Sequence, residues 1–406
     1  MRKRRCVARR PRVLPGLEIL ARARLKEIRG RRVGLLMHPA SVTSALRSAR
    51  DVLLDLCGAN LTALFGPQHG FAGEKQDNMI ESAHALDRDL GIPIFSLYSE
   101  TRSPTPEMLA HIDTLVVDLQ DVGTRVYTFE WTTALALQAC AAAGVSVVVL
   151  DRPNPLGGVE MEGNLIRPGY ESFVGIHPVP MRHALTLGEM ALLVNDRLGR
   201  RPVGKRCHLV VVPMRGWRRR ALFEETGLRW VLPSPNMPTP STAIVYPGQV
   251  LLEGTNLSEG RGTTRPFEIW GAPWIDTKPL GERLRERRLP GCLLREHTFE
   301  PAFHKWKGEP CRGFQIHVTD PGRFKPYRTT LAILQEVVAL HRREFRWKDP
   351  PYEYVTDRMP IDVLTGDPAV REAIESGADL RDLESAWARD IREFAREARS
   401  HLLYPV

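Results

Sequence analysis

Residues 131–154 read WTTALALQACAAAGVSVVVLDRPN, and the interpretation of this stretch decides the fold. Its first half is rich in Ala and Leu, which favour helix, and its second in Val, which favours strand. Gly144 stands at the change, where a helix stops readily because glycine takes left-handed backbone without a Cβ penalty. Ala134 to Leu150 is the longest apolar run in the chain, but Gln138 and the glycine divide it. It reads as a helix followed by a buried strand, not as a membrane span. A polar cluster, Asp151-Arg152-Pro153-Asn154, follows the strand at once.

The same unit recurs upstream. Short apolar runs occur at Arg32–His38, Leu61–Pro67, Ile92–Tyr98 and Leu115–Leu119, separated by stretches of helical pattern. Runs of Val, Ile and Leu that are apolar on both faces are what a parallel sheet covered by helices requires. Ser44 to Leu56 sets Leu46, Val52, Leu53 and Leu56 on one side of a helix, and Pro106 opens a short one. Downstream, Thr186 and Glu189 fit a capping box ahead of Met190, Leu193 and Val194, and Leu209 to Pro213 reads as another buried strand. These elements predict an α/β fold with a Rossmann-like, doubly wound, mostly parallel sheet.

Four prolines between Val231 and Pro240 exclude a central strand or helix interior and mark a junction. Beyond it, a helix bearing Leu331, Leu334, Val337, Val338 and Leu340 and a last helix from Asp379 to about Leu403 are expected among mixed strands. The expected division is a basic tail at 1–12, a Rossmann-like domain at 13–225, and a smaller carboxy-terminal α+β domain at 226–406.

Charge narrows the partners. The 406-residue chain carries 57 Lys and Arg against 48 Asp and Glu, but seven of those cations lie in the first twelve residues. Taking them away leaves 50 against 48, so the body lacks the excess of a nucleic-acid binder, and no nucleic-acid partner is expected. No two of the six cysteines are closer than nineteen positions, which excludes a Cys-x-x-Cys zinc or dithiol pair. The positive start is followed by Pro15 and Gly16 with no apolar stretch long enough for a signal peptide. A soluble, cytoplasmic protein without a membrane partner is expected.

Familiar nucleotide and hydrolase motifs are missing. The sequence has no Gly-x-x-x-x-Gly-Lys-Ser/Thr loop, no Gly-x-Gly-x-x-Gly after the first strand, no Gly-x-Ser-x-Gly and no His-Glu-x-x-His. No cofactor or metal is expected. What remains is a set of polar residues directly after the apolar runs: His38, Gln68-His69, Ser99-Glu100, Asp118 to Asp121, and Asp151 to Asn154. The carboxyl ends of parallel strands share one edge, and ligands bind in the crevice outside it. Such residues also make turns and caps, and His38 is read as a packed or capping residue.

Glu100, Asp118, Asp121, Asp151, Asn154 and Glu162 with Arg102, Arg125, Arg152 and Arg182 suit a polar, anionic, hydroxyl-rich ligand. Carboxylates can protonate a leaving oxygen and activate water, and arginine binds carboxylate or phosphate at two points. His69 and His183 can shuttle protons near neutral pH. The glycine-bounded stretch Leu252 to Thr263, with Glu253, Asn256 and Arg261, is expected to cover the cleft from across the junction.

Several long motifs then stand in one order: Phe65-Gly66-Pro67-Gln68-His69-Gly70-Phe71, Tyr98-Ser99-Glu100-Thr101-Arg102, Asp118-Leu119-Gln120-Asp121-Val122-Gly123-Thr124-Arg125, Leu150-Asp151-Arg152-Pro153-Asn154-Pro155, Pro180-Met181-Arg182-His183 and Glu253-Gly254-Thr255-Asn256. Together they resemble the YbbC-like family, which includes the NamZ-type exo-β-N-acetylmuramidases, and the likeness runs from about Val13 to Pro405. The resemblance implies a Rossmann-like domain without a dinucleotide and a smaller second domain. It also implies a cleft between them that removes β-linked N-acetylmuramic acid from the non-reducing ends of peptidoglycan fragments, as in peptidoglycan recycling. Mapped on this chain, Glu100 and Asp121 are the expected acid/base pair and His69 a proton relay. Arg125 or Arg182 is the expected holder of the lactyl carboxylate, and Gln68 a partner of acetamido or hydroxyl groups. Glu74, Asp118, Asp151, Arg152, Asn154, His183, Glu253, Asn256 and Arg261 complete the expected substrate-binding set.

One departure matters. Many members of that family carry Glu in a Pro-Glu-His-Gly motif, where a catalytic carboxylate has been proposed; here the position is Gln68. An amide donates no proton as a general acid. Either another carboxylate serves, with Glu100, Asp121 and Glu74 as candidates, or the chain binds muramic-acid-containing or other anionic sugars without hydrolysing them.

Overall fold

The structure is a computed structural model that describes residues 13–22, 26–77, 79–202 and 204–406; the expected basic tail lies outside the described residues. The first sheet is built from β1 (Val33–Met37), β2 (Leu61–Gly66), β3 (Ala85–Asp87), β4 (Ile92–Ser96), β5 (Thr114–Asp118), β6 (Ser146–Leu150) and β7 (Leu209–Val212). Its order is β3-β4-β2-β1-β5-β6-β7, with all neighbours parallel except the β3–β4 pair. The helices that follow are α1 (Gly16–Leu20), α2 (Ala49–Cys57), α3 (Pro106–Leu109), α4 (Phe129–Ala143) and α5 (Leu187–Arg200).

Successive strand residues point to opposite faces, and here both faces are dry. Leu35, Leu64, Val116 and Val148 pack on one side with Leu17 and Leu20 of α1 and Val52 and Leu53 of α2. Leu36, Phe65, Val117 and Val149 face the other way, toward Leu137 of α4 and Leu193 of α5. Each such side chain contributes about 1.5–3 kcal/mol when fully buried. That burial explains why five-residue strands without alternating polarity are stable in this sheet.

The local signals act as the sequence indicates. Gly144 takes φ 73° at the end of α4. Thr186 accepts from the Glu189 amide and Glu189 accepts from the Thr186 amide, closing the capping box of α5. Two elements differ from expectation. α2 begins at Ala49, not Ser44, because Thr43 accepts from the Arg47 amide, Leu46 takes φ 64°, and Ser48 caps the helix. β3 was unread, since three residues carry no periodicity; it pairs with β4, and Asp87 in it accepts two bonds from Arg50.

The second unit contains β8 (Ile269–Ala272), β9 (Cys292–Phe299) and β10 (Cys311–Val318), an antiparallel sheet of order β8-β10-β9. Around it lie α6 (Pro240–Gln249), α7 (Thr277–Glu286), α8 (Pro326–Leu340), α9 (Pro360–Thr365), α10 (Pro368–Ser376) and α11 (Leu380–Ala398). α11 starts at its Asp379 cap as expected, but ends at Ala398 and passes into a 3-10 turn, Arg399–His401.

The proline-rich segment is more than a junction. His38 at the end of β1 bonds the Pro233 carbonyl, Asn236 donates to the Gln76 carbonyl, and Pro240 opens α6. It therefore lies across the carboxyl edge of the first sheet. The apolar core on that side continues without a break through Tyr246, Trp270, Tyr327 and Leu334. The chain also returns to the first sheet: Tyr404 donates to Asp151 and accepts from the Met214 amide, while the Arg219 amide bonds the Pro405 carbonyl. No helix among the described residues is long and apolar enough to cross a membrane.

α6 and α8 meet with almost no space between them. A Cβ placed on Gly248 would lie 2.0 Å from the Pro326 carbonyl oxygen and 2.5 Å from Thr330 Oγ1. Gly248→Ala is expected to destabilise the protein by about 1–3 kcal/mol, as overpacking of a tight core does, and to lower the urea midpoint. An unchanged midpoint would show that the helices can part.

Candidate active site

β1 is flanked by β2 on one side and β5 on the other, so the connections leave the sheet in opposite directions there. The fold places ligands in the crevice outside that switch point. A pocket of about 490 Å³, counting the part of it that is open to solvent, occupies it. Gln68 and His69, just after β2, and Tyr127 and Thr128, between β5 and α4, form the wall from the first unit. The proline-rich segment contributes Ser234 and Asn236, and the second unit contributes Tyr246, Glu253, Arg261, Phe267, Tyr352 and Glu353.

Two carboxylates line this space. Glu353 accepts from Gln68 Nε2 at 3.1 Å and from the Tyr98 hydroxyl at 2.8 Å. Gln68 is oriented in turn by Thr128, whose hydroxyl donates to its Oε1 at 2.6 Å. Glu253 accepts from Arg261 at 2.7 Å and from the Tyr352 hydroxyl at 2.6 Å. In both cases the two oxygens receive different donors, which suits an acceptor-only carboxylate anion. Burial and the neighbouring Glu353 push the Tyr98 phenol well above its ordinary range, so it remains a donor.

His69 is set differently. Its Nδ1 lies 2.8 Å from the Lys75 carbonyl oxygen, which only accepts, so Nδ1 carries the proton and Nε2 keeps a lone pair. Burial, assisted by the Arg261 cation, pushes the imidazole down to about 4 despite that bond. His69 is thus a neutral acceptor at physiological pH. Behind Arg261, Glu259 sits among Lys305 at 2.9 Å, His304 at 3.3 Å and Arg261 at 3.3 Å. Burial alone would raise Glu259, but the Lys305 and Arg261 cations and the contact with His304 outweigh it and hold the carboxyl well below its ordinary range.

Three of the non-glycine residues with left-handed backbone stand in the cavity wall. His69, Phe267 and Glu353 line the cavity at φ 74°, 62° and 44°. A side chain bearing a Cβ pays about 1–2 kcal/mol for left-handed backbone, a cost that persists where the surroundings fix a functional geometry.

The expected residues divide sharply. Gln68, His69, Glu253 and Arg261 line the cavity. Glu100 does not: it is exposed, as is Glu74, which is 3.9 Å from Lys75. Asp118 and Arg152 form a two-point ion pair at 2.6 and 2.7 Å, completely enclosed. Asp151 accepts from Thr186, Tyr404 and the amides of Arg152 and Gly188, and Asn154 bonds the Leu185 carbonyl and the Leu156 amide. Arg125 is 1% exposed and its two terminal nitrogens donate to the carbonyls of Asn164, Val179, Leu364 and Thr365, so its guanidinium is turned to the backbone and not to the cavity. Arg182 bonds the Leu156 carbonyl, Glu162 the Arg328 amide, and Asn256 the backbone of Glu344 and Arg346. These groups tie loops together and stand away from the cavity wall.

Glu353, Tyr352 and Tyr98 were not among the expected residues. A signal was present in Pro350-Pro351-Tyr352-Glu353-Tyr354, where two prolines stiffen the approach to an acid set between two aromatic side chains. Tyr98 stands in the Tyr98-Ser99-Glu100-Thr101-Arg102 motif without a role of its own, although its hydroxyl meets Glu353 at the carboxyl edge.

Asp121 and His183 meet in a second, enclosed cluster with Glu130 of α4. One side-chain atom from each of the three lies within 4.8 Å of the others, and His183 Nε2 is 3.0 Å from Glu130 Oε2. His183 Nδ1 accepts from the Leu185 amide, which leaves the proton on Nε2. A metal would need a lone pair at that atom, so this tautomer does not fit ligation. Burial, then repulsion from Glu130, pushes Asp121 up to about 7; burial raises Glu130 well above its ordinary value and lowers His183 to about 4.

A Rossmann-like sheet joined to a small antiparallel sheet, with a carboxylate-lined cavity at the join, defines a two-unit α/β protein whose site is shared between the units. The chain belongs to the NamZ family. The family described as exo-β-N-acetylmuramidase NamZ, N-terminal, matches residues 33–241, and its C-terminal counterpart matches residues 244–404. The peptidoglycan β-N-acetylmuramidase NamZ of Bacillus subtilis (strain 168) is 40% identical over 397 residues, covering 98% of this chain and 92% of the relative. Two crystal structures of DUF1343 family proteins from Bacteroides fragilis NCTC 9343 share the fold. One has a TM-score of 0.86 at 35% identity, covering 98% of this chain and all of its own; the other has 0.73 at 26%, covering 97% and 99%.

The raised Asp121 carboxyl carries a sign that can be tested. The unfolded chain releases this proton near its ordinary value of 3.8, whereas the folded state keeps it to about 7. Between those values the folded state binds more protons, so Asp121's contribution to stability is lost as pH rises. Asp121→Asn, which keeps an oxygen for the Gly123 amide, is expected to gain on the wild type by up to about 1.4 kcal/mol per pH unit from pH 4 to 7, and to level off above. Urea unfolding of both proteins at several pH values measures this; parallel curves would mean that Asp121 is already ionised.

Proposed function

We propose that this protein is an exo-acting β-N-acetylmuramidase, a glycoside hydrolase that removes N-acetylmuramic acid from the non-reducing ends of peptidoglycan fragments. The observation that carries the proposal is Glu353, presented at the wall of the cavity and bonded by Gln68 and Tyr98. Membership of the NamZ family and the printed activity of the Bacillus relative support it.

In this reading Glu353 replaces Glu100 and Asp121 as the carboxylate at the anomeric carbon, where it opposes the positive charge that develops on the sugar ring. Glu253 supplies the second carboxylate of the site. Gln68 is a positioning residue: its amide fixes Glu353 and is itself fixed by Thr128, a task that needs no acid. His69 accepts a proton or a sugar hydroxyl at Nε2. Arg261 replaces Arg125 and Arg182 as the group that meets the lactyl carboxylate. The proposal keeps the domain division at 13–225 and 226–406 and places the reaction in the cytoplasm, in peptidoglycan recycling.

The amide at Gln68 also favours a second reading, a binder of muramic-acid-containing sugars without turnover. Incubation with a β-1,4-linked N-acetylmuramyl-N-acetylglucosamine disaccharide distinguishes the two. The hydrolase reading expects release of free N-acetylmuramic acid, with Glu353→Gln lowering kcat by about 10²–10⁴-fold. Gln68→Glu would set two carboxylates about 3 Å apart, so that one keeps its proton to higher pH and a new ionisation enters the pH profile. No release by the wild type, tight binding in calorimetry, and release by Gln68→Glu would establish the binder instead.

A further inference from the structure

One turn of the chain faces two spaces. Tyr352 and Val355 exchange backbone hydrogen bonds of 3.0 and 2.9 Å, so Glu353 and Tyr354 are the corner residues of a two-residue turn. Their φ values, 44° and 66°, are both left-handed, the geometry that Asn-Gly supplies most easily. A Glu-Tyr pair held in that geometry points to a use for both side chains. Glu353 lines the cavity described above. It also lines a wider, more open groove of about 970 Å³, whose other walls include Arg102, Leu135, Phe173, Ile176 and Tyr354.

Tyr354 is 46% exposed, yet it is not loose. The Arg102 guanidinium lies 4.0 Å from its ring centre and 4.5 Å from that of Tyr98, and the Tyr354 hydroxyl donates to Glu81 at 3.1 Å. Tyr98 in turn packs 5.9 Å from Phe173. The exposed ring is thus braced from behind by a cation and a second aromatic side chain, and it presents a rigid apolar surface beside a carboxylate.

Resting on the hydrolase reading, we propose that this groove is the leaving-group subsite, in which the sugar that departs lies against the Tyr354 ring while the terminal muramic acid enters the narrower pocket at Glu353. Glu353 is the residue that the linings of the two spaces share, and the proposal sets the scissile bond beside it. On hydrolysis the C1–O bond breaks, the oxygen of the groove-bound sugar takes a proton, and the hydroxyl of water joins C1. A narrower pocket on one side and a more open groove on the other suit a terminal sugar followed by a longer chain, as exo action requires.

The test compares two substrates with the same muramic acid and different leaving groups: the disaccharide, which fills the groove, and β-N-acetylmuramyl fluoride, which leaves it empty. The ratio of kcat/KM for the disaccharide to that for the fluoride is expected to fall about tenfold in Tyr354→Ala, the effect of about 1.4 kcal/mol of lost stacking, and by less than about twofold in Tyr354→Phe. A ratio unchanged in Tyr354→Ala, or an equal fall in both variants, would overturn the proposal. If the wild type cleaves neither substrate, the hydrolase reading fails by itself, and the groove is judged by saturation-transfer NMR with N,N′-diacetylchitobiose. Contact seen with the wild type and Tyr354→Phe and lost in Tyr354→Ala supports the subsite; no contact, or contact retained in Tyr354→Ala, removes it.

Discussion

Covering the carboxyl edge of a parallel sheet with a second unit penalises any buried polar group at that edge that lacks a partner inside the protein. A buried ion pair broken on one side costs about 3–5 kcal/mol, and an unsatisfied polar atom about 1–3 kcal/mol. Asp118 meets Arg152, Asp151 collects four donors, and Asn154 joins two loops, so the ends of β5 and β6 and the cap of α5 become one bonded layer. His38 extends the layer to the proline-rich segment: its Nε2 accepts from the Gln120 amide, and its Nδ1 bonds the Pro233 carbonyl. The cavity survives only where this layer is interrupted, between the residues after β2 and the loops of the second unit.

That constraint explains what could be read from the sequence and what could not. The strands, the Gly144 stop and the Thr186–Glu189 cap are local events, each decided within a few residues, and they stand close to where composition and periodicity put them. The clustering of polar residues beyond the strands was legible as well. Their division into ties and cavity wall was not, because it depends on partners far away in the chain. Gln68 meets Glu353 across 285 positions, and Arg125 spends its donors on Leu364 and Thr365. An arginine beside a polar cluster looks the same in sequence whether it awaits a ligand or holds four carbonyls. Glu100 failed for the opposite reason: it follows a strand in the expected way, but the chain turns it to solvent.

Left-handed backbone at His69, Phe267 and Glu353 places stored strain on three different walls of one cavity. Strain of that kind relaxes unless neighbours oppose it. Here the first unit supplies the opposition on both sides of the join: Lys75 holds the His69 ring, and Gln68 and Tyr98 reach across to hold the Glu353 carboxylate of the second unit. The site is rigid because it is assembled from two sides, and neither unit contains it alone.

The bond from the Tyr404 hydroxyl to Asp151 spans 253 positions and has a bearing on how the protein is made. During synthesis the amino-terminal part of a chain ordinarily folds first, as a unit. In this chain the edge at β6 and β7 lacks one of its buried donors until residue 404 has left the ribosome. Until then Asp151 has three of its four donors, Thr186 and the amides of Arg152 and Gly188, and the last bond of this edge forms only when the carboxy-terminal residues return to it.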